Sequence, residues 1–238
     1  MWISPQQKRM NMSRILIFPF VSISLLLNIS CGGNGYTING SVSHSFFNGD
    51  SVHAVSISGD SIVVFSRGVV ERGVFSLSGS VDSAVIASLC ISGRPVAPFV
   101  IEPGEITMLV GENSVVVRGT VLNDALGCYM EKKDSFNSVL SDILRKEACL
   151  LMDGASVKDA RLVVEKEFAL AVATVESYVD SFVRAHYNDI VGPFVFRLYC
   201  NGMSYGMLQP KMKELINEAP ERFRSSRFVE SLGVPESH

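Results

Sequence analysis

The sequence predicts an α+β fold in which a β-rich region precedes a helical region. Residues 36–118 consist of short runs rich in Val, Ile, Phe and Ser, separated by turns that contain glycine. From Gly119 onward, apolar residues recur at intervals of three and four, the spacing of an amphipathic helix. Because the strands come first and the helices follow, the chain is typical of α+β and not of an alternating α/β fold.

The first thirty residues have the composition of a secretory signal peptide. Lys8, Arg9 and Arg14 form a basic region without acids, and a mostly apolar run of 13 residues follows, Ile15 to Leu27. A bilayer span needs about 20 apolar residues, so this run is too short to cross one. A buried N-terminal helix is the alternative, but the run lacks polar periodicity. We therefore expect residues 1–30 to direct export and to be removed.

Cys31 ends this segment and defines an expected anchor. The stretch Leu27 to Cys31 resembles a bacterial lipobox, with Ser30 as the small residue before the cysteine, although the leucine lies four residues before Cys31 instead of three. The resemblance implies acylation of Cys31, with chains such as palmitate inserted in the membrane, and 31–35 as a flexible tether. The alternative is ordinary cleavage, which leaves Cys31 as a spare thiol. Because no acidic cluster follows Cys31, we expect the protein at the outer membrane, facing the periplasm.

The region 36–118 is expected to form an antiparallel β-sandwich or a small barrel. Strands about ten residues apart, separated by turn-forming residues, are typical of both folds. The segment Glu102 to Glu105 has Pro and Gly at the positions of a type II turn, and we interpret it as a turn and not as an acidic site. The predicted strands are Ser51–Ile57, Ser61–Arg67, Val74–Ser78, Ser83–Ile91, Ile106–Val110 and Ser114–Val117.

The region 119–238 is expected to form a hairpin of two long helices followed by shorter ones. We predict that Asn123 caps the first helix and that Asp153-Gly154 ends it. Ser156 is expected to cap the second helix, which runs to about His186. Asn188 is the expected cap of a third helix ending at Tyr199, and the remaining predicted helical segments are Lys211–Asn217 and Ser225–Leu232.

Composition and side-chain spacing argue against several classes of function. Without residues 1–30, 18 Lys and Arg face 24 Asp and Glu, a net charge of −6, which does not suit nucleic acid. The cysteines and histidines are scattered without metal-ligand spacing, and no Cys-x-x-Cys occurs. We expect no catalytic, cofactor or metal site. Four cysteines allow three disulfide pairings, but buried free thiols are favoured for Cys90 and Cys149.

Three stretches resemble a known bacterial domain of unknown function. They are GVVERGVFSLSG (Gly68 to Gly79), FVIEPGEITMLV (Phe99 to Val110) and GTVLNDAL (Gly119 to Leu126), and the segment Asn217 to Leu232 resembles that family's helical connector. The family precedes thioredoxin-like domains in envelope lipoproteins. The resemblance implies a setting near thiol–disulfide exchange. The family's enzymatic part is not carried over, because the sequence reaches His238 about where a thioredoxin fold would begin.

The expected role is binding, docking or spacing, without catalysis. The alternatives are a relic of a thioredoxin-like oxidoreductase and a structural envelope component unrelated to redox work. Large apolar residues in the connector predict a surface for a thioredoxin-like protein or a second copy. The expected members of that surface are Phe196, Met203, Met207 and Phe228.

Overall fold

A computed structural model describes residues 33–43, 48–58, 61–112, 114–201 and 203–233. Residues 1–30 and Cys31, which carry the expected signal peptide and anchor, lie outside the described residues. The described residues from Gly33 onward belong to one compact unit. Its strands all precede its helices, which confirms the predicted α+β class.

Eight strands of the described residues form a two-sheet sandwich. One sheet has the order β4-β1-β7-β8 and the other the order β3-β2-β5-β6. The strands are β1 (Gly35–Val42), β2 (Ser51–Ser58), β3 (Ser61–Val69), β4 (Val74–Ser80), β5 (Val85–Ile91), β6 (Arg94–Ile101), β7 (Gly104–Val110) and β8 (Val115–Arg118). The predicted strands correspond to six of these, and β1 and β6 were not among them.

Alternating burial builds the core between the sheets. Along β1, Tyr36 and Ile38 are buried while Asn39 is exposed, as expected for a strand with one face on the core. Phe75 and Leu77 of β4 follow the same alternation. The apolar faces of both sheets therefore meet in one hydrophobic cluster.

One pairing differs from an all-antiparallel sandwich. β1 runs parallel to β7, with Tyr36 opposite Gly104 and Val42 opposite Val110. The other strand pairs, including β1 with β4, are antiparallel. A parallel pair needs a long connection. Here the chain between β1 and β7 supplies the whole second sheet and β4.

Six α-helices follow the strands in the described part of the chain. Two of them are long, with 32 residues in α1 and 29 in α2. Their bounds are α1 (Val121–Met152), α2 (Val157–Ala185), α3 (Val191–Tyr199), α4 (Pro210–Glu218), α5 (Glu221–Arg224) and α6 (Arg227–Glu230). Among the residues placed by the structure, no helix combines the length and apolarity that a membrane span would need.

A second core joins the helices to the sandwich. Ile86 of β5 and Val100 of β6 belong to the same hydrophobic cluster as Leu126 of α1, Val183 of α2 and Phe223 of α5. The outer face of the second sheet is thus covered by helices, which gives three layers. The long hairpin contributes to this cluster only near its base, because the buried residues of α1 are Asn123, Leu126 and Tyr129.

Two of the predicted helix caps are wrong, and one is confirmed. Thr120, not Asn123, is the N-cap residue of α1, so Asn123 lies inside the first turn and its side chain is buried. At α3, the carboxylate of Asp189, not Asn188, accepts hydrogen bonds from the backbone N–H groups of Val191 and Gly192. Ser156 caps α2 as predicted, accepting a 3.1 Å hydrogen bond from the N–H of Asp159.

Candidate docking surface

The two sequence motifs around residues 99–110 and 119–126 meet at the start of α1. Oε1 of Glu102 accepts hydrogen bonds from the N–H groups of Leu122 at 2.9 Å and Asn123 at 3.3 Å. Oδ1 of Asp124 accepts from the N–H of Gly119 at 3.0 Å. Both carboxylates lie at the N-terminal end of the helix, where the helix dipole favours negative charge. The carboxylate of Glu102 therefore stabilises the N-terminus of α1, and the motif around residues 99–110 has a structural role.

Asn123 joins the same helix to the free edge of β6. Its Nδ2 donates to the carbonyl oxygen of Val100 at 2.7 Å, and its Oδ1 accepts from the N–H of Val100 at 2.9 Å. Nδ2 also donates to Oγ1 of Thr120. Because β6 is an edge strand, the backbone N–H and C=O groups of Val100 have no neighbouring strand on the side opposite β5. The amide satisfies both groups inside the protein.

Gly119 permits the close approach of β7 to the start of α1. It has φ of +112°, and a Cβ there would lie 2.4 Å from the carbonyl oxygen of Glu105. A side chain at this position would thus be strained in its backbone and would also clash. The GTVLNDAL motif is explained by packing at this junction and needs no ligand.

The predicted partner surface of the connector is only partly exposed. Phe196 is 0% exposed and packs edge-to-face on the buried Phe223 at 5.8 Å between ring centroids. The expectation that Phe196 is exposed at a surface is therefore wrong. Folding α3 and α5 back on the hairpin buries this residue in the second core.

Met203 and Met207 remain exposed, at 44% and 67%. Met203 precedes a short 3-10 turn, Tyr205–Met207, and Met207 is the last residue of that turn. The N–H of Tyr205 donates to the carbonyl oxygen of Leu232 at 2.7 Å. Nζ of Lys213 lies 5.6 Å from the centroid of the Tyr205 ring. The segment is thus held against the last turn of the helical layer while both methionine side chains face solvent. We call Met203, Tyr205 and Met207 the methionine surface.

Phe228 is half-buried and already has partners. Its ring packs edge-to-face on Phe194 at 5.4 Å, and the guanidinium of Arg227 covers it at 4.8 Å. Arg227 also donates to the carbonyl oxygen of Ile57, which joins α6 to β2. Of the four residues expected at the surface, Phe228 thus contributes mainly to internal packing.

The described cysteines are free thiols in different environments. Cys128 and Cys149 are exposed on α1, Cys90 is half-buried, and Cys200 is fully buried. Burial raises the pKa of the Cys200 thiol to about 12 and also raises the pKa of Cys90. The expectation of a buried thiol is wrong for Cys149, because the helical face that carries it points to solvent. A reactive thiolate needs a lowered pKa, so the raised pKa values of Cys90 and Cys200 argue against that role for both.

The histidines and carboxylates of the described region do not form a metal site. No group of three His, Cys, Asp or Glu residues there could hold a metal ion. Nδ1 of His186 lies 2.7 Å from Oδ2 of Asp189, and the imidazole stacks on Phe182. Since Asp189 also caps α3, this pair fixes the turn between α2 and α3.

Comparison with known families gives one match. Residues 36–126 match the family described as Domain of unknown function (DUF4369). The matched segment contains nearly all of the eight-stranded sandwich and the first turns of α1, including Asn123 and Asp124. This agrees with the domain resemblance found in the sequence. No curated protein and no solved structure matches the chain.

The sequence prediction missed the exposed apolar residues of the long hairpin. Beyond Leu140, α1 and α2 expose several large apolar side chains, among them Leu144, Leu162 and Leu170. The sequence contains a pattern that could have predicted them, because apolar residues occur on more faces of these helices than a pair of helices can bury. These residues therefore form a second candidate surface, separate from the methionine surface.

Proposed function

We propose that the protein is a non-catalytic lipoprotein of the cell envelope that docks a thioredoxin-like protein. In this proposal, acyl chains on Cys31 anchor it in the outer membrane, facing the periplasm. The helical layer carries the docking surface. The proposal rests on the signal-like N-terminus, on the domain match and on the family resemblance that places such domains beside thioredoxin folds.

The single observation that carries the docking role is the exposure of Met203 and Met207 among the short helices after the hairpin, where the other large apolar side chains of the described residues are buried or half-buried. Methionine side chains are flexible and polarisable, and they suit adaptable contact surfaces. Neighbouring aromatic residues Phe196 and Phe223 are buried, so the exposed methionines are not remnants of a loosely packed core. The backbone hydrogen bond from Tyr205 to Leu232 holds the segment in place.

The experiment is photo-cross-linking in cells. A photoreactive residue replaces Met207, and the control carries it at Val74, which is 55% exposed on β4 of the sandwich. We expect an adduct with a thioredoxin-like protein from position 207 and none from position 74, identified by mass spectrometry of both linked peptides. No adduct at position 207, or equal adducts at both positions, would count against the proposal.

A further inference from the structure

A cavity lies between α1, α2 and α3, beside the second core, with a volume of about 230 Å³. Tyr129 and Val179 are its most deeply buried lining residues, and both belong to the second core. Lys133 is half-buried and Asn137 is exposed, so these two residues lie nearer to its mouth. We call this space the aromatic cavity.

Aromatic rings form much of the wall of the aromatic cavity. The four rings that line it are those of Tyr129, Phe136, Tyr178 and Tyr199. The ring of Tyr178 is nearly parallel to that of Tyr129, at 6.2 Å between centroids, and Phe136 meets Tyr178 edge-on at 5.5 Å. Small-molecule sites are typically lined by apolar and aromatic side chains with a few polar groups, and they occur between helices. The composition of this wall therefore indicates a small-molecule site.

The hydroxyl of Tyr129 has no hydrogen-bond partner among the described residues. Although the residue is only 3% exposed, its hydroxyl oxygen keeps some accessible surface, and the aromatic cavity is the space that the residue lines. Tyr199 differs, because its hydroxyl donates to the carboxylate of Glu176. Burial raises the pKa of both tyrosines to about 12, so each phenol keeps its proton at neutral pH. Since buried polar groups are normally paired, the Tyr129 hydroxyl is available to a ligand.

Lys133 supplies a positive charge near the mouth of the cavity. Its ammonium group forms no ion pair with a described acidic side chain. Lys132 is directed elsewhere, because its Nζ lies 4.9 Å from the centroid of the Phe136 ring. An ammonium group acts as a point charge and lacks the planar fork with which arginine holds a phosphate. The charge at the mouth therefore fits a monoanion such as a carboxylate.

The volume of the cavity limits the size of the ligand. An apolar cavity of about 150 Å³ holds benzene, whereas sites for drug-sized ligands begin at about 300 Å³. The aromatic cavity, at about 230 Å³, suits one aromatic ring with short substituents. A fatty acyl chain fits less well, because much of its length would remain outside.

We propose that the aromatic cavity binds a small aromatic monocarboxylate that carries a hydroxyl group on its ring. The ring lies among the aromatic side chains, and the carboxylate contacts the ammonium group of Lys133. The hydroxyl of the ligand forms a hydrogen bond with that of Tyr129 at the buried end. The site does not involve the methionine surface, so it is independent of the docking role.

The test is a ligand-observed NMR titration of the purified full chain with three compounds that share one ring. The probes are 4-hydroxyphenylacetate, phenylacetate and the neutral 4-hydroxyphenylethanol, and the broadening of their ring signals gives each Kd. We expect 4-hydroxyphenylacetate to bind about fivefold more tightly than phenylacetate, which is the contribution of one neutral hydrogen bond. It should also bind several-fold more tightly than the neutral alcohol, because only the acid pairs with Lys133.

Two variants separate the polar contacts. Tyr129→Phe should remove the preference for the ring hydroxyl and leave the binding of phenylacetate unchanged. This variant keeps the ring and loses only an unpaired hydroxyl, so it should stay folded. Lys133→Met should weaken the binding of both acids several-fold but not that of the alcohol. Lys158→Met is the matched control, because Lys158 is exposed at the start of α2 and does not line the cavity.

Several results would overturn the proposal. The absence of saturable binding of either acid to the wild-type protein would exclude the site. Equal weakening by Lys133→Met and Lys158→Met would show that the acids respond only to overall charge. A preference for the ring hydroxyl that survives Tyr129→Phe would exclude the assigned orientation. Because the Met207 cross-link is read separately, its failure would not affect these results.

Discussion

The amide of Asn123 pairs with both backbone groups of Val100, at 2.7 Å and 2.9 Å, as a neighbouring strand would. A single side chain thus closes part of the free edge of β6 and ties the first helix to the sandwich. The contact is buried, so water cannot replace it.

Asn123→Ala should lower the free energy of unfolding by about 2–4 kcal/mol, because two buried backbone groups lose their partners. Urea denaturation measures this loss. Asn137→Ala, at an exposed position of the same helix, is the control and should change stability by less than about 0.5 kcal/mol. Equal stabilities of the two variants would show that the pairing with Val100 contributes little.

Glu102→Ala should destabilise the protein by about 1 kcal/mol, the usual loss when a helix N-terminus loses its side-chain acceptor. Glu102→Gln keeps an acceptor oxygen and should lose less. The same denaturation experiment applies, with Glu105→Ala as a control, because Glu105 is exposed on the next strand. A Glu105→Ala loss as large as that of Glu102→Ala would contradict the capping role.

The four described thiols should differ in their rates of alkylation at pH 8. Cys128 and Cys149 are exposed and should react first, and Cys90 more slowly. Cys200 should react only after unfolding, because it is buried and its pKa of about 12 leaves only about one thiolate in ten thousand at this pH. Mass spectrometry of timed samples gives the order. Fast labelling of Cys200 would contradict its burial.

Purified protein should not accelerate the reduction of insulin by dithiothreitol. Exchange through a mixed disulfide needs a low-pKa thiol and a second sulfur to resolve the intermediate. The sequence has no Cys-x-x-Cys, and the pKa of the Cys200 thiol is raised by burial. Turnover that a single Cys→Ala substitution abolishes would show that the protein is a redox enzyme.

Cys31→Ser should move the protein from the membrane fraction to the soluble fraction of cells. The expected physical cause is the loss of the acyl chains, each buried methylene of which contributes about 0.8 kcal/mol. Intact mass of the wild-type protein should show a diacylglyceryl adduct and the loss of residues 1–30. Cys128→Ser is the control. A mature form that begins after Cys31 would contradict the anchor.

Patterns of period two and of three to four residues were enough to predict the fold class. Six strands and the ends of the long hairpin follow from alternation, from turn residues and from the cap at Ser156. β6 was missed because Arg94 and Pro95 look like turn residues. Pro95 is tolerated there since β6 is an edge strand.

The candidate site was less predictable because burial depends on contacts distant in sequence. Asn123 fits a helix cap by its residue type, and only the position of β6 beside α1 shows that its amide satisfies Val100. Phe196 fits a surface residue while the connector is read alone, but α5 brings Phe223 against it. Such contacts join segments that are distant in sequence, so no local pattern of residues predicts them.

The parallel pairing of β1 with β7 has a consequence for how the chain acquires its structure. β1 is the first of the described strands to be synthesised, yet it lies in the interior of its sheet. Tyr36 can pair with Gly104 only after the next six described strands have begun. Pairings between residues distant in sequence are slow to form. The edge of β1 that pairs with β7 therefore stays unpaired while the strands between them are synthesised. We therefore expect the docking of β7 to end the period in which β1 offers an unpaired edge to other chains.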